Sequence, residues 1–250
     1  MSSVHPTTVI TGGSRGIGRA VALRLAAEGH NLVLGYASDA AAADAVASEI
    51  RALGRACLVF QVDIADAASV QTFFAAAAAA TESEDGLGPI TGVVANAGAI
   101  RATGPLAELD PADIEADLRV NLLGTILTCQ AAIPALTTSR GSIVTIGSAA
   151  VVSGSPHTYV HYAAAKAGVA VFTQGLAREL APQGVRVNCV EPGTVWTDFH
   201  EDPERPAKVA ERIPLGRAGQ PDEIAGAVAW LLSADAAYAT GANIRVAGGF

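Results

Sequence analysis

Cysteine is scarce in this chain, and the little there is follows no pattern. Cys57, Cys129 and Cys189 are odd in number and far apart. Neither a disulfide framework nor a thiolate metal site is expected, and the three read as reduced, mostly buried thiols of a cytosolic protein. His5, His30 and His200 stand at no ligand spacing with any acid or thiol, so no metal is expected either. No stretch approaches about 18 uninterrupted apolar residues, and Met1 to Pro6 lacks the basic and apolar regions of a signal peptide. A membrane is therefore not an expected partner, and the expected location is the cytoplasm. Positive charge is short as well: 16 lysines and arginines face 24 acids, a net charge of -8. The cations are scattered, which argues against nucleic acid or an anionic membrane surface as the main partner. Missing too is any break in composition, so residues 1–250 read as one domain.

What is present is apolar sequence in short runs, half of all residues, enough for a large core. Thr8-Val9-Ile10 reads as a strand that enters Thr11-Gly12-Gly13-Ser14-Arg15-Gly16-Ile17-Gly18. A helix follows from Ala20 towards Gly29, and Asn31-Leu32-Val33-Leu34 is a second strand. Strand, glycine turn, helix and strand within about 30 residues make the βαβ unit that binds dinucleotides. Glycines let the backbone approach a pyrophosphate, whose charge meets the amides at the helix N-terminus. The second strand ends in Gly35-Tyr36-Ala37-Ser38 with no acid, and Asp39 reads as the cap of the next helix. An NAD site usually carries a carboxylate there, for the ribose 2′-hydroxyl. Arg15 has the forked geometry that suits a 2′-phosphate. The expected cofactor is NADP(H), with NAD(H) possible if Arg15 is merely solvated.

Strands and helices then alternate to the end of the chain. Strands are expected at 56–62, 92–95, 142–146, 185–190 and 242–246, with helices at 67–80, 111–136, around Tyr162, and at 222–232. Thr81 to Pro89 reads as a polar connecting loop. Near-continuous apolar strands between helices imply an α/β fold, a doubly wound, Rossmann-like parallel sheet with helices on both faces. The unusual residues fall just past successive strand ends: Gly12 to Gly18, Asp63, Asn96 to Gly98, Ser148, and Pro192-Gly193. Ligands bind at that edge of such sheets.

Tyr162 and Lys166 are spaced to share one helix face, a turn apart. An ammonium beside a phenol favours the phenolate, so the pair can be a tuned acid/base; the alternative is a half-exposed tyrosine with a solvated lysine.

Together Thr11-Gly12-x-x-x-Gly16-x-Gly18, Asn96-Ala97-Gly98, Asn121, Ser148, Tyr162-x-x-x-Lys166, Pro192-Gly193 and Thr197 resemble the single-domain branch of the short-chain dehydrogenase/reductase family. The pattern is most similar to the β-ketoacyl-carrier-protein reductases and covers nearly the whole chain. The resemblance implies hydride transfer between a nicotinamide and a carbonyl or alcohol carbon of a small molecule. Tyr162 is then the proton donor or acceptor. Lys166 lowers the phenol's pKa and holds the nicotinamide ribose, Ser148 hydrogen-bonds the substrate oxygen, and Asn121 positions a relay water. The same resemblance puts Asp63 and Ile64 by the adenine, Asn96, Ala97 and Gly98 beside the cofactor, and Pro192, Gly193, Val195 and Thr197 near the carboxamide. Ser14, Arg15, Ile17, Tyr36, Ala37 and Ser38 complete the expected cofactor contacts. A homotetramer built on the 111–136 and Tyr162 helices is also implied.

Departures from the family pattern are Ala95, Ala165 and Ala247, and a Ser148-to-Tyr162 gap one residue longer than usual. That extra residue falls in Val151 to Tyr159, which is expected to face substrate, with Ser153, Ser155, His157 and Thr158 as possible contacts. His161 points about 100° from Tyr162 on a helix, which favours a packing or rim role. Trp196, Phe199 and Glu201 to Pro206 suggest a substrate lid, against an ordinary surface loop with one buried aromatic. Trp230 is expected in the core. Alternative readings are an NAD-dependent sugar or secondary-alcohol dehydrogenase of the same family, and a catalytically silent nucleotide-sensing scaffold.

Overall fold

β1 (Thr7–Thr11) is buried along its whole length, as a strand covered on both faces must be. In the computed structural model, which describes residues 5–81, 87–199 and 202–250, the chain continues through α1 (Gly16–Ala27), β2 (Asn31–Tyr36), α2 (Ala40–Ala52), β3 (Cys57–Gln61), α3 (Ala67–Thr81) and β4 (Ile90–Ala95). It goes on through α4 (Pro111–Leu118), α5 (Gly124–Ser139), β5 (Ser142–Ile146), the short α6 (Ala150–Ser153), α7 (Val160–Leu180), β6 (Arg186–Pro192), α8 (Arg205–Ala210), α9 (Pro221–Leu232) and β7 (Asn243–Val246). The strands form one seven-stranded sheet in the order β3-β2-β1-β4-β5-β6-β7, and every neighbouring pair is parallel. Residues 82–86 of the expected Thr81 to Pro89 loop, and His200 and Glu201 of the expected lid, lie outside the described residues.

Alternation along each strand feeds two apolar layers. Ile10, Leu32, Leu34, Val94 and Val144 pack with α1, α2 and α9 on one face. On the other face Val9, Val33, Val93, Ile143 and Val187 pack with α3, α5 and α7. Burying each such side chain contributes about 1.5–3 kcal/mol. The alanine-rich helices let their backbones lie close to the sheet, and Ala20, Ala22, Ala43, Ala47, Ala77 and Ala132 are all buried. Asp39 caps α2, its Oδ1 accepting from the amide of Ala42 at 2.9 Å.

The helix expected at 111–136 is interrupted by one π-helical turn, Arg119–Leu123. That turn carries Asn121 inward, fully buried; such insertions recur at functional sites. The most apolar 18-residue window of Pro111–Ser139 has a mean hydropathy of 1.4, long and apolar enough for a membrane span. Cys129, Ala132 and Leu136 of this segment are buried in the layer beneath the sheet, and 39% of the window is buried. Trp230 departs from expectation. Ile224, Val228 and Leu231 form the buried stripe of α9, while Trp230 lies off it and is 42% exposed.

The chain passes from β1 out to β2 and β3, then returns across β1 to β4 on its other side. Adjacent strands thus send their connections apart at the carboxyl ends of β1 and β4. This divergence opens the crevice in which doubly wound sheets bind ligands.

Candidate active site

One cavity of about 930 Å³ runs along the carboxyl ends of the strands. Gly12, Ser14, Arg15, Gly16, Ile17, Gly18, Tyr36, Ala37, Ser38, Asp63, Ile64, Asn96, Ala97, Gly98, Ser148, Tyr162, Lys166, Pro192, Gly193, Val195 and Thr197 all line it. Asn121, of the expected catalytic residues, is not at its wall.

At one end the glycine turn is built by close approach. Gly12 and Gly16 hold φ of +67° and +52°, and a Cβ on Gly18 would stand 2.1 Å from the Gly12 carbonyl oxygen. Only glycine satisfies all three positions. Asn96, at the end of β4, donates from Nδ2 to the carbonyls of Thr11 and Gly12, each at 3.0 Å. Its amide side chain therefore braces the turn across the gap between β1 and β4. Arg15 stands before α1 with no side-chain cap on the helix. The first-turn amides need an acceptor, and an anion such as a pyrophosphate meets that need. Arg15 is exposed, and among the described residues no carboxylate pairs with it. Gln61 Nε2 donates to the carbonyl of Ala37 at 2.9 Å, holding the loop after β2 beside it. This half of the cavity has the form of a dinucleotide site.

At the other end Tyr162 and Lys166 project from α7, 7% and 3% exposed. Lys166 Nζ donates to the Ile146 carbonyl at 2.9 Å and lies 5.7 Å from the centre of the Tyr162 ring. Burial pushes the Tyr162 phenol above its ordinary range; a hydrogen bond with Ser148 opposes this, and the fields of Tyr159 and Asp117 add to it. This is opposite to the lowering expected from the Tyr-x-x-x-Lys spacing. The same burial brings Lys166 down to about 8. Spacing identified the partners, but desolvation sets the direction of both shifts.

Ser148 ends the turn after β5, which is tied to β6 by Gly147 N to the Val190 carbonyl at 2.7 Å and Ala149 N to the Pro192 carbonyl at 2.8 Å. Asn121 sits behind the wall. Its Oδ1 accepts from Ala99 N at 3.2 Å, and its Nδ2 donates to the Asp117 carbonyl at 2.9 Å and to the Ala99 carbonyl. It fixes the Ala97–Ala99 segment rather than facing the open space. Over Tyr162 lie Tyr159, edge-on with centroids 5.2 Å apart, and Phe199 at 6.0 Å. Trp196 is 42% exposed, and its backbone is anchored to the Gly219 carbonyl at 3.0 Å. Phe199, rather than Trp196, is the aromatic that covers the tyrosine.

Of the expected loop contacts, Ser153, Ser155 and Thr158 line the cavity, whereas His157 does not. Ser155 and His157 both hold positive φ, 46° and 59°, in the stretch containing the extra residue. His161 is buried against Asp117. Lining residues that sequence reading missed include Arg101, Arg212 and Phe250, while Arg205 lines the cavity from within the expected lid stretch. The three missed residues come from separate loops and the chain end, so no local spacing announces them.

A glycine turn opening a helix at the β1/β4 crevice, next to a buried Tyr and Lys and a half-buried Ser, defines the class as nucleotide-binding oxidoreductases of the doubly wound type. Residues 12–250 match the family model described as Enoyl-(Acyl carrier protein) reductase. The chain belongs to the short-chain dehydrogenase/reductase family. It is 40% identical over 248 residues to the "Uncharacterized oxidoreductase YgfF" of Escherichia coli (strain K12), covering 96% of this chain and 98% of that one. It is also 40% identical over 244 residues to a 3-oxoacyl-[acyl-carrier-protein] reductase of Synechocystis sp., covering 96% and 95%. A short chain dehydrogenase from Burkholderia cenocepacia J2315, solved in complex with NADP, superposes with a TM-score of 0.90 at 36% identity, covering 97% of this chain and 96% of that one.

Proposed function

We propose that this protein is an NADP(H)-dependent oxidoreductase that interconverts a carbonyl compound and its secondary alcohol, with Tyr162 as the group that passes the proton. The observation that carries the reading is the placement of Ser148, Tyr162 and Lys166 around one end of a cavity whose other end is the glycine turn. NADP(H), held along that cavity, would supply or accept the hydride. Arg15 and Ser38 would meet the 2′-phosphate, Asp63 and Ile64 the adenine, and Asn96, Ala97 and Gly98 the middle of the cofactor. Pro192, Gly193, Val195 and Thr197 would lie by the carboxamide, and Lys166 would reach the ribose.

The side chains of this chain do the rest. Ser148 orients the substrate oxygen. Burial keeps the Tyr162 phenol protonated, the form needed to donate a proton as the carbonyl is reduced. Lys166, brought to about 8, is mostly charged at neutrality and loses its proton just above it, so it can respond to changes beside the phenol. Asn121, with its amide engaged by Ala99 and Asp117, would act by fixing the wall, and through it a relay water. The family match and the NADP-bound neighbour support the same reading.

The 250 residues are proposed to act as one cytoplasmic catalytic domain assembled as a homotetramer. Supporting the assembly are exposed apolar side chains on the helices concerned: Leu118 at 36%, Leu123 at 37% and Val171 at 68%. Sedimentation equilibrium tests it, and a monomer at micromolar concentration would refute it.

The reaction is tested by following the reduced-nicotinamide absorbance over a panel of ketones and alcohols with both cofactors. Turnover with NADPH, lost in Tyr162→Phe while NADPH binding persists, is the expected result. Near-normal turnover in that variant would remove Tyr162 from the mechanism.

A further inference from the structure

The substrate end of the cavity carries a local excess of positive charge that the overall acidity of the chain does not foreshadow. Arg101, Arg205 and Arg212 all line it, against one acidic side chain, that of Asp198. Several arginines elsewhere are matched with acids, Arg19 with Glu49, Arg119 with Glu115, Arg217 with Glu223 and Arg245 with Glu191. Among the described residues, no carboxylate forms an ion pair with the three at the cavity. Asp202 feels the charge of Arg205, but its carboxylate is bound to Lys208 at 2.9 Å.

Arg205 is the most constrained of the three. One of its terminal nitrogens donates to the Tyr159 hydroxyl at 2.9 Å, and its guanidinium carbon lies 5.4 Å from the centre of that ring. Its Nε is buried and has no hydrogen-bond partner among the described residues. A buried donor on a charged group calls for an acceptor, and a guanidinium held by one edge offers the rest of its planar fork to a carboxylate. Tyr159 in turn lies 5.2 Å from the Tyr162 ring, so Arg205 is one aromatic ring away from the proposed proton donor.

We propose that the substrate is a short oxo acid, or the corresponding hydroxy acid, whose carboxylate is bound by Arg205 while its carbonyl oxygen meets Ser148 and Tyr162. The proposal rests on the carbonyl-reductase reading given above. In reduction the carbonyl carbon gains a hydride and its oxygen a proton, so the substrate takes up two electrons as NADPH is oxidised. The carboxylate is unchanged. Arg101 and Arg212, at the exposed rim, draw the anion in, and the Arg205 Nε acquires its acceptor.

The test compares levulinate and acetoacetate with their methyl esters as substrates, with NADPH, in the wild type and in Arg205→Leu and Arg205→Lys. For at least one acid, kcat/KM should exceed that of its ester by about 10-fold or more, as a charged hydrogen bond would provide. The acid-to-ester ratio should collapse towards one in Arg205→Leu, mainly through KM, and be partly restored in Arg205→Lys. Esters reduced as well as acids by the wild type, or a ratio unchanged in Arg205→Leu, would overturn the proposal. Glutarate, which has no carbonyl to reduce, separates this from the parent reading. If no ketone is reduced, calorimetry of glutarate with the NADPH-loaded protein still decides the matter: binding that Arg205→Leu abolishes supports the anion site, and no binding to the wild type refutes it.

Discussion

Asp117 Oδ2 stands 2.9 Å from Nε2 of His161, and neither side chain reaches solvent. The pair joins α4 to α7 immediately beside Tyr162. Asp117 also accepts the Arg101 amide on both oxygens, at 3.0 and 3.1 Å, and its carbonyl accepts from Asn121. His161 therefore has a packing role rather than a place at the rim. Removing the carboxylate in Asp117→Ala leaves His161 with no partner at either ring nitrogen, since Nδ1 already has none, and orphans the Arg101 amide. Leaving buried polar groups without their acceptor costs about 1–3 kcal/mol each. Urea unfolding of the variant should show a loss of at least about 2 kcal/mol for the two orphaned groups, and a loss below about 1 kcal/mol would mean the pair contributes no more than a surface contact.

Gly18 gives a second prediction, one of shape. A Cβ there would lie 2.1 Å from the Gly12 oxygen and 2.6 Å from Asn96 Nδ2, so in Gly18→Ala the turn or α1 must move. Overpacking of this kind costs about 1–3 kcal/mol, and the displaced amides no longer converge on one anion. Fluorescence titration with NADPH should show affinity falling by at least an order of magnitude. Unchanged affinity would show that the turn does not hold the phosphates.

Arg15 tests cofactor choice apart from cofactor binding. It is exposed and unpaired among the described residues, and it lines the same cavity as Ser38. Loss of a charged hydrogen bond costs about 1.5–3 kcal/mol, or about 10- to 100-fold. Arg15→Ala should lower kcat/KM for NADPH by that factor while changing the NADH value little. A parallel loss with both cofactors would assign Arg15 to the common pyrophosphate instead.

Much of this architecture could be read before any coordinates were known, for a physical reason. Parallel strands buried on both faces must be apolar almost without interruption, so Val9-Ile10, Leu32-Val33-Leu34 and Val93-Val94 mark themselves. The residues that end such strands are the ones that meet in the crevice. What stayed hidden depends on distant parts of the chain. The π-helical turn at Arg119–Leu123 has no marker of its own, and Phe250 reaches the cavity only because β7 joins the sheet beside β6. Trp230 was misread because an apolar residue near a buried stripe need not belong to it. The direction of the Tyr162 shift was misread because spacing shows which charge is near but not how much water has been removed.

Water removal also makes an alkaline prediction at a residue remote from the chemistry. Cys129 is fully buried, and burial, helped by the nearby Cys189, pushes its thiol up to about 12. An unfolded thiol ionises near 8.5–9. Below that range both states hold the proton and Cys129 contributes no pH dependence. Above it the unfolded chain releases a proton that the folded chain keeps, so the unfolded state binds fewer protons and stability falls as pH rises. At pH 10 this single thiol removes about 1.4 kcal/mol relative to neutrality. Cys57, likewise pushed up to about 12 by burial, acts in the same direction. Chemical unfolding of the wild type and Cys129→Ala between pH 7 and 10 separates the contribution. The variant is less stable at neutrality, having lost a packed side chain, but its stability should decline less steeply with pH. Parallel curves would show that Cys129 does not carry a burial-raised pKa.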